Sequence, residues 1–296
     1  MKDYFNYSGK NCVVTGAASG VGKATHDLLV ELGANVYSLD VSESKELKNF
    51  IHIDMGDKAA IDKAISGLPG KIDSIFSLAA LPGLSYRGKQ FTLKQLFAVN
   101  YAGQRYLTEA LLPKMPKGGA VGICSSIAGG MWVRNMALLA DLYESYTSFE
   151  GALEWAEKNK DNPQAFDGLK SEKVVYGFTK QALTYYTKRA AFKFLKQGVR
   201  MNALCPGSIE TAMSKDFADQ AVREGYVKGI REGYVYGTNP HLNRQSTALE
   251  QANVIVFMNS DMATQIIGAD ITVDGASSVG RMFNQYDGAG NITDER

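Results

Sequence analysis

Absences narrow the field first. Among 296 residues there are only three cysteines, three histidines, seven prolines and two tryptophans. Cys12, Cys124 and Cys205 are scattered, each in or beside an apolar run, which argues for reduced thiols and against a disulfide frame or a zinc knuckle. His26, His52 and His241 show no metal-ligand spacing, so no metal site is expected. Neither charge sign dominates: 32 Lys and Arg balance 31 Asp and Glu. The net charge of +1 gives no electrostatic reason to expect nucleic acid or an anionic membrane as a partner. No run approaches the roughly 18 consecutive apolar residues of a membrane span. Residues 1–10 are polar and lack the apolar core of a signal peptide. The expectation is a cytoplasmic protein. No internal repeat or low-complexity segment is present.

What remains has the rhythm of a single α/β domain. Short β-branched or apolar runs at 11–15, 34–40, 50–54, 72–80, 120–124, 199–204 and 270–273 read as strands. Helical patterns follow most of them: 23–32, a segment beginning near Asp57, 91–115, 174–196 and 247–258. Such alternation implies a parallel sheet of about seven strands, doubly wound, with helices on both faces. Residues 131–173 break the rhythm. They carry helical patches at 136–146 and 149–158 and are too short to bury a core alone, so they read as a helical insertion within one domain spanning 1–296. Residues 208–245 are irregular, with Tyr226, Tyr234 and Tyr236 among glycines, which suits either a substrate-covering loop or a surface excursion. A polar tail occupies 281–296.

Two stretches carry chemistry. The first strand runs straight into Gly16-Ala17-Ala18-Ser19-Gly20-Val21-Gly22 and then a helix, an order that sets backbone N–H groups and a helix N-terminus where a pyrophosphate can sit. Asp40 ends the second strand roughly 20 residues beyond the glycines, placed to accept from ribose hydroxyls and to repel a 2′-phosphate, which favours NAD over NADP. Asp54 ends the third strand and either contacts the adenine or caps the next helix. The second stretch is Tyr176-Gly177-Phe178-Thr179-Lys180. Residues four apart share a helix face, so the Tyr176 hydroxyl and the Lys180 ammonium can meet in one pocket, where a cation would lower the tyrosine pKa. Asn100, in an otherwise apolar helix face, is either a satisfied core amide or a residue serving a water or a kink inside a site. Ser125 and Ser126 end the fifth strand.

Together, Thr15-Gly16-x-x-x-Gly20-x-Gly22, Asn100, Ser126, Tyr176-x-x-x-Lys180 and Pro206-Gly207 followed by Thr211 resemble the short-chain dehydrogenase/reductase family across nearly the whole chain. The resemblance implies a Rossmann fold and an NAD(H)-dependent oxidoreductase. Tyr176 would be the general acid/base, Ser126 the holder of the substrate oxygen, Lys180 the ribose ligand that lowers the Tyr176 pKa, and Asn100 the holder of a relay water. It further implies cofactor contacts from Gly16, Ser19, Gly20, Val21, Gly22, Asp40, Asp54, Met55, Ala79, Ala80, Pro206, Gly207, Ile209 and Thr211, besides Tyr176 and Lys180. Two departures stand out. Leu78-Ala79-Ala80-Leu81 occupies the place of the family's Asn-Asn-Ala-Gly, and Ser126 lies much farther ahead of Tyr176 than is usual. The enlarged segment is similar to that of the 3α-hydroxysteroid dehydrogenase/carbonyl reductases and coniferyl-alcohol dehydrogenases. In those relatives it alters the helix–helix oligomer interface, which implies a homodimer in preference to a homotetramer. The implied substrate is a small hydrophobic alcohol or ketone, a steroid or an aryl alcohol. Leu81, Leu84, Trp132 and Met136, with the three loop tyrosines, are the expected pocket walls. A Rossmann-type NAD-binding regulator without turnover is the competing class. A nucleotide-sugar epimerase would need a larger C-terminal domain.

Overall fold

A computed structural model of the chain describes residues 4–214, 242 and 244–283. Seven parallel strands form one sheet in the order β3-β2-β1-β4-β7-β8-β9: β1 (Asn11–Thr15), β2 (Asn35–Asp40), β3 (Phe50–His52), β4 (Ser74–Ser77), β7 (Ala120–Cys124), β8 (Arg200–Pro206) and β9 (Asp270–Val273). β5 (Ser85–Tyr86) and β6 (Lys89–Gln90) form a small separate hairpin. The strand order reverses direction between β1 and β4, so the crevice at their C-terminal ends is the ligand-binding switch point of such a sheet.

Helices cover both faces. α1 (Gly20–Glu31) and α8 (Ala248–Asn259) pack with Leu29, Val36, Ile255 and Val256 in one apolar cluster. α2 (Lys58–Ser66), α3 (Leu93–Phe97), α4 (Gly103–Leu111) and α7 (Glu172–Leu195) contribute Ile61, Leu96, Leu107 and Leu183 to the larger cluster opposite. The central strands are buried on both sides: every residue of β4 and β8 is buried, and the polar Arg200 and Asn202 of β8 are satisfied by backbone carbonyls.

The insertion folds as α5 (Met136–Ser145) and α6 (Phe149–Lys158), close to the expected patches. Lacking a core of its own, it borrows one. Trp155 of α6 stacks on Phe178 of α7 at 5.5 Å, and Phe166 meets Phe178 and Phe97 edge-on at 5.1 and 5.8 Å. Arg105 of α4 fixes α5 by donating to the carbonyls of Tyr143 and Tyr146 while pairing with Glu109. An arginine this buried satisfies the carbonyls left open at the end of α5.

The expected helix over 91–115 is found over residues 93–114, with a wider π-turn in its middle. α3 gives way to a π-turn, Ala98–Ala102, and α4 begins only at Gly103. The reason is close packing: a β-carbon at Gly103 would fall 2.0 Å from Met55 O, so this face lies directly against the segment after β3. The fourth strand is shorter than the expected 72–80, and a short C-terminal helix, α9 (Ser277–Met282), was not anticipated. Among the described residues no helix is long and apolar enough to cross a membrane.

Candidate active site

The glycine loop after β1 is shaped by contacts that exclude side chains. A β-carbon on Gly22 would fall 1.9 Å from Gly16 O, and one on Gly16 would sit 3.0 Å from the Ala79 backbone. Gly16 and Gly20 also have positive φ, +70 and +54, where glycine is favoured. Ser19 caps α1 without a side-chain hydrogen bond, and the first turn carries no acid, so its N–H groups remain available to an anion. Thr211 Cγ2 lies 3.5 Å from the β-carbon position of Gly20, which brings the loop after β8 over the glycines. That loop is held by Gly207 N donating to Val273 O and by a bridge between Ile209 and Ser246. The space at Gly207 is filled by Asp274, whose Cβ would be 2.6 Å from a β-carbon there. This cradle fits the pyrophosphate of a dinucleotide.

Asp40 stands where expected at the end of β2, with a second duty. Its Oδ2 accepts from Ala18 N at 2.9 Å and its Oδ1 from Ser42 N at 2.8 Å, so the carboxylate braces the glycine loop and still presents lone pairs to a ribose. Asp54 is exposed and caps its own turn through Gly56 N at 2.8 Å; Asp57, not Asp54, caps α2 by accepting from Ala59 N. Met55 is buried against α4, with Val21 half-buried at the start of α1.

The turn that departs from Asn-Asn-Ala-Gly is held from three sides. Thr15 Oγ1 accepts from Leu78 N at 2.9 Å and Ala79 N at 3.1 Å. Gln104 Nε2 donates to Ala79 O at 2.8 Å and to Asn100 O at 3.3 Å, while its Oε1 accepts from Ser77 Oγ at 3.1 Å. Asn100 clasps Leu81 reciprocally, accepting from its N at 2.8 Å and donating to its O at 2.9 Å, and also donates to Thr179 Oγ1 at 3.2 Å. Both amide N–H groups of Asn100 are therefore taken by protein acceptors, as a satisfied core amide requires. Asn100 sits in the π-turn and ties the end of β4 to α7. Gln104 and Thr179 went unnoticed in the sequence, although Gln104 lies one turn after Asn100 on the same face.

On α7, Tyr176 and Lys180 come together with Ser126 at the end of β7. The Ser126 hydroxyl accepts from Ala128 N at 3.1 Å and lies close enough to the Tyr176 phenol to pull its pKa down. Lys180 is 1% exposed and lies 5.6 Å from the centre of the Tyr176 ring. Its ammonium donates to Cys124 O at 3.0 Å, its one hydrogen-bond partner among the described residues. A buried ammonium with N–H groups to spare fits ribose hydroxyls. The Lys180 main chain is held as well, since Ser125 Oγ donates to Lys180 O at 2.9 Å and lies 2.8 Å from Thr184 Oγ1. Gly129 must lack a side chain for this clasp, because a β-carbon there would reach 2.5 Å from both hydroxyls.

One electrostatic expectation is corrected. Burial, not Lys180, dominates the Tyr176 phenol and pushes its pKa above the ordinary value, with the Ser126 hydroxyl pulling it down. Burial likewise lowers the Lys180 pKa. Cys124 and Cys205 are pushed up by burial, Cys205 to about 11, which leaves them inert thiols. Among the described residues no His, Cys, Asp or Glu cluster could hold a metal ion. Of the expected pocket walls, Leu81 and Leu84 are half-buried beside the site, and Met136 is 46% exposed. Trp132 packs edge-on against Tyr185 at 5.9 Å. That is roughly 13 Å along α7 from Tyr176, so Trp132 belongs to the insertion's seam. Tyr226, Tyr234 and Tyr236 lie outside the described residues, as does most of the tail.

Comparison with known proteins places this geometry. The family model described as short chain dehydrogenase matches residues 10–139, and one described as Enoyl-(Acyl carrier protein) reductase matches 165–277. The chain is 32% identical over 269 residues to a coniferyl-alcohol dehydrogenase from Pseudomonas sp., covering 90% of this chain and 95% of the relative. The chain belongs to the short-chain dehydrogenase/reductase family. A 3-alpha-hydroxysteroid dehydrogenase/carbonyl reductase from Comamonas testosteroni is 27% identical over 89% of the chain and 94% of its own length. Among solved structures, the 3-alpha-hydroxysteroid dehydrogenase from Pseudomonas sp. B-0831 complexed with NADH superposes with a TM-score of 0.71 at 23% identity, covering 94% of this chain and all of that one. Levodione reductase gives 0.69 at 22% identity, covering 93% and 99%. These likenesses show the same fold. The two family matches break across residues 140–164, within the segment that carries α6.

Proposed function

We propose that this short-chain dehydrogenase/reductase uses NAD(H) to interconvert a secondary or aryl alcohol and its carbonyl. The observation that carries the reading is the convergence of Ser126, Tyr176 and Lys180 at the C-terminal ends of β7 and β8, with the side-chain-free glycine loop at the C-terminal end of β1 in the same sheet. The nicotinamide, when bound, supplies or accepts the hydride. The protein handles the proton and the geometry. In reduction, the buried phenol of Tyr176 gives its proton to the nascent alkoxide while the Ser126 hydroxyl holds that oxygen; in oxidation Tyr176 takes the proton away. Lys180 offers its remaining N–H groups to the ribose and supplies positive charge near the phenol. Asp40 receives the adenine-side ribose and disfavours a 2′-phosphate. A relative complexed with NADH supports the cofactor, and relatives named for coniferyl alcohol and hydroxysteroids support a ring-bearing substrate. The insertion covers the α4–α7 face, so a homodimer assembled elsewhere on the surface is favoured over the common tetramer.

The test is NADH formation, followed by absorbance, across aryl alcohols, hydroxysteroids and small secondary alcohols, with NADP in parallel. Turnover with NAD on one class is expected. Silence across all classes together with intact NADH binding would favour a non-catalytic NAD-binding regulator.

A further inference from the structure

The β5–β6 hairpin has no counterpart in the alternating βα pattern, yet it is latched to α7 by both donors of Ser85, the hydroxyl shared between two carboxylate oxygens. Ser85 N donates to Glu172 Oε2 at 3.0 Å, and Ser85 Oγ lies 3.1 and 3.2 Å from Oε1 and Oε2. Glu172 is the first residue of α7, where a carboxylate is favoured by the helix dipole. It stands one turn before Tyr176 on the same face. The other end of the segment is equally fixed, because Leu81 is clasped by Asn100. Between these two anchors run Pro82 and Gly83, both buried, and half-buried Leu84, which packs on the core. Phe91 N closes the base of the hairpin on Leu84 O at 2.7 Å. Arg87 and Gly88 turn the tip with φ of +49 and +74, and Arg87 stacks on Tyr86 at 5.1 Å. A chain that leaves β4 beside the glycine cradle, passes Asn100 and is tied down one turn before Tyr176 must run along the substrate side of the site.

We infer that the Ser85–Glu172 latch makes residues 81–91 a fixed wall of the substrate pocket, and that Glu172 is a positioning residue that sets the ring size the pocket accepts. This rests on the alcohol–carbonyl reading of the same site. A two-stranded hairpin of this size is marginal alone, so the latch, together with the Leu81 clasp and the packing of Leu84, sets its place. With the latch intact the wall is rigid and ring fit is selective. With it broken the wall yields, contact with a single ring is lost, and a fused-ring substrate is tolerated.

The experiment compares the wild type with Glu172→Ala, Glu172→Gln and Ser85→Ala. Turnover is measured on benzyl alcohol and naphthylmethanol. Binding of acetophenone and acetylnaphthalene to the NADH complex is followed by NADH fluorescence. For Glu172→Ala the single-ring to fused-ring ratio of kcat/KM should fall at least fivefold through KM, with NADH affinity unchanged. Glu172→Gln, which keeps an acceptor for Ser85 N, should recover most of the ratio, and Ser85→Ala should lie between them. A uniform loss on both substrates, or no recovery in Glu172→Gln, would overturn the inference. Should the wild type turn over no alcohol, the functional reading fails while the ketone-binding ratio still decides the latch: an unchanged ratio in Glu172→Ala overturns it.

Discussion

Lys180 Nζ lies 3.0 Å from the carbonyl oxygen of Cys124, so the buried ammonium on α7 is anchored to the last residue of β7. Ser126 follows two residues later, so the end of this strand fixes both the Ser126 hydroxyl and the cation beside Tyr176. The following expectations start from that arrangement.

Tyr176→Phe should reduce turnover by roughly 10²–10⁴-fold, the span of general acid–base catalysis. NADH affinity, read by fluorescence, should change little. Unchanged turnover would remove Tyr176 from the chemistry.

The pH profile follows from the raised Tyr176 pKa. Alcohol oxidation needs the phenolate, so kcat/KM for oxidation should climb with pH through the neutral range. The Ser126 hydroxyl lowers that pKa; removing it in Ser126→Ala should shift the rising limb to higher pH. A limb that moves to lower pH would contradict the assignment.

Lys180→Met separates stability from function. Burial lowers the folded-state pKa of Lys180 beneath its ordinary 10.5, so the unfolded chain binds this proton more tightly. The charge therefore weighs against folding at neutral pH, and that penalty shrinks as pH rises through the folded pKa toward 10.5. Methionine loses a hydrogen bond of about 1 kcal/mol and escapes a larger desolvation cost. The Tm at pH 7 should rise by roughly 2 °C for each kcal/mol gained, and the gain should fade at alkaline pH, while NADH affinity and turnover fall. Calorimetry at two pH values decides it, and a lower Tm at pH 7 would refute it.

Asp40→Ala should relax the preference for NAD and also weaken NADH binding about tenfold, one lost charged hydrogen bond's worth, because Ala18 N loses its acceptor. Asp40→Asn keeps an acceptor without the charge, so it should relax the preference with a smaller loss of affinity. Cofactor titrations with both dinucleotides distinguish the two roles.

Gln104→Leu would leave the fully buried Ser77 Oγ and the half-buried Ala79 O without their side-chain partner. A stability loss on the order of 2–3 kcal/mol is expected, since buried polar groups left unmade cost about 1–3 kcal/mol each. Urea unfolding would measure it. The KM for NAD should rise with it, because Ala79 backs Gly16.

Much of this is legible in the sequence. The strands announced themselves because central parallel strands are apolar on both faces, and the glycine loop because close backbone approach leaves no alternative residue. Ser126, Tyr176 and Lys180 were readable from order and spacing. What escaped depended on contacts between segments distant in sequence. The π-turn at Asn100 inside the helix over 91–115 goes with the close approach of Gly103 to Met55, which no local propensity encodes. The β5–β6 hairpin is too short and too polar at its tip to register as strands. The reading of Trp132 as a pocket wall failed because an aromatic residue in an insertion says nothing of which turn of α7 it will meet. The sign of the Tyr176 shift failed because burial outweighs a neighbouring charge that makes no direct bond to the phenol.

The ring cluster of Phe97, Trp155, Phe166 and Phe178 has a bearing on dilution. In a fold whose helical face is closed by another subunit, that closure obeys mass action and loosens as protein concentration falls. Here α6 belongs to the same chain and Trp155 reaches Phe178 without any partner. The back of the helix that carries Tyr176 is therefore sealed equally well at any concentration. Whatever association the rest of the surface supports, the catalytic helix does not wait for it.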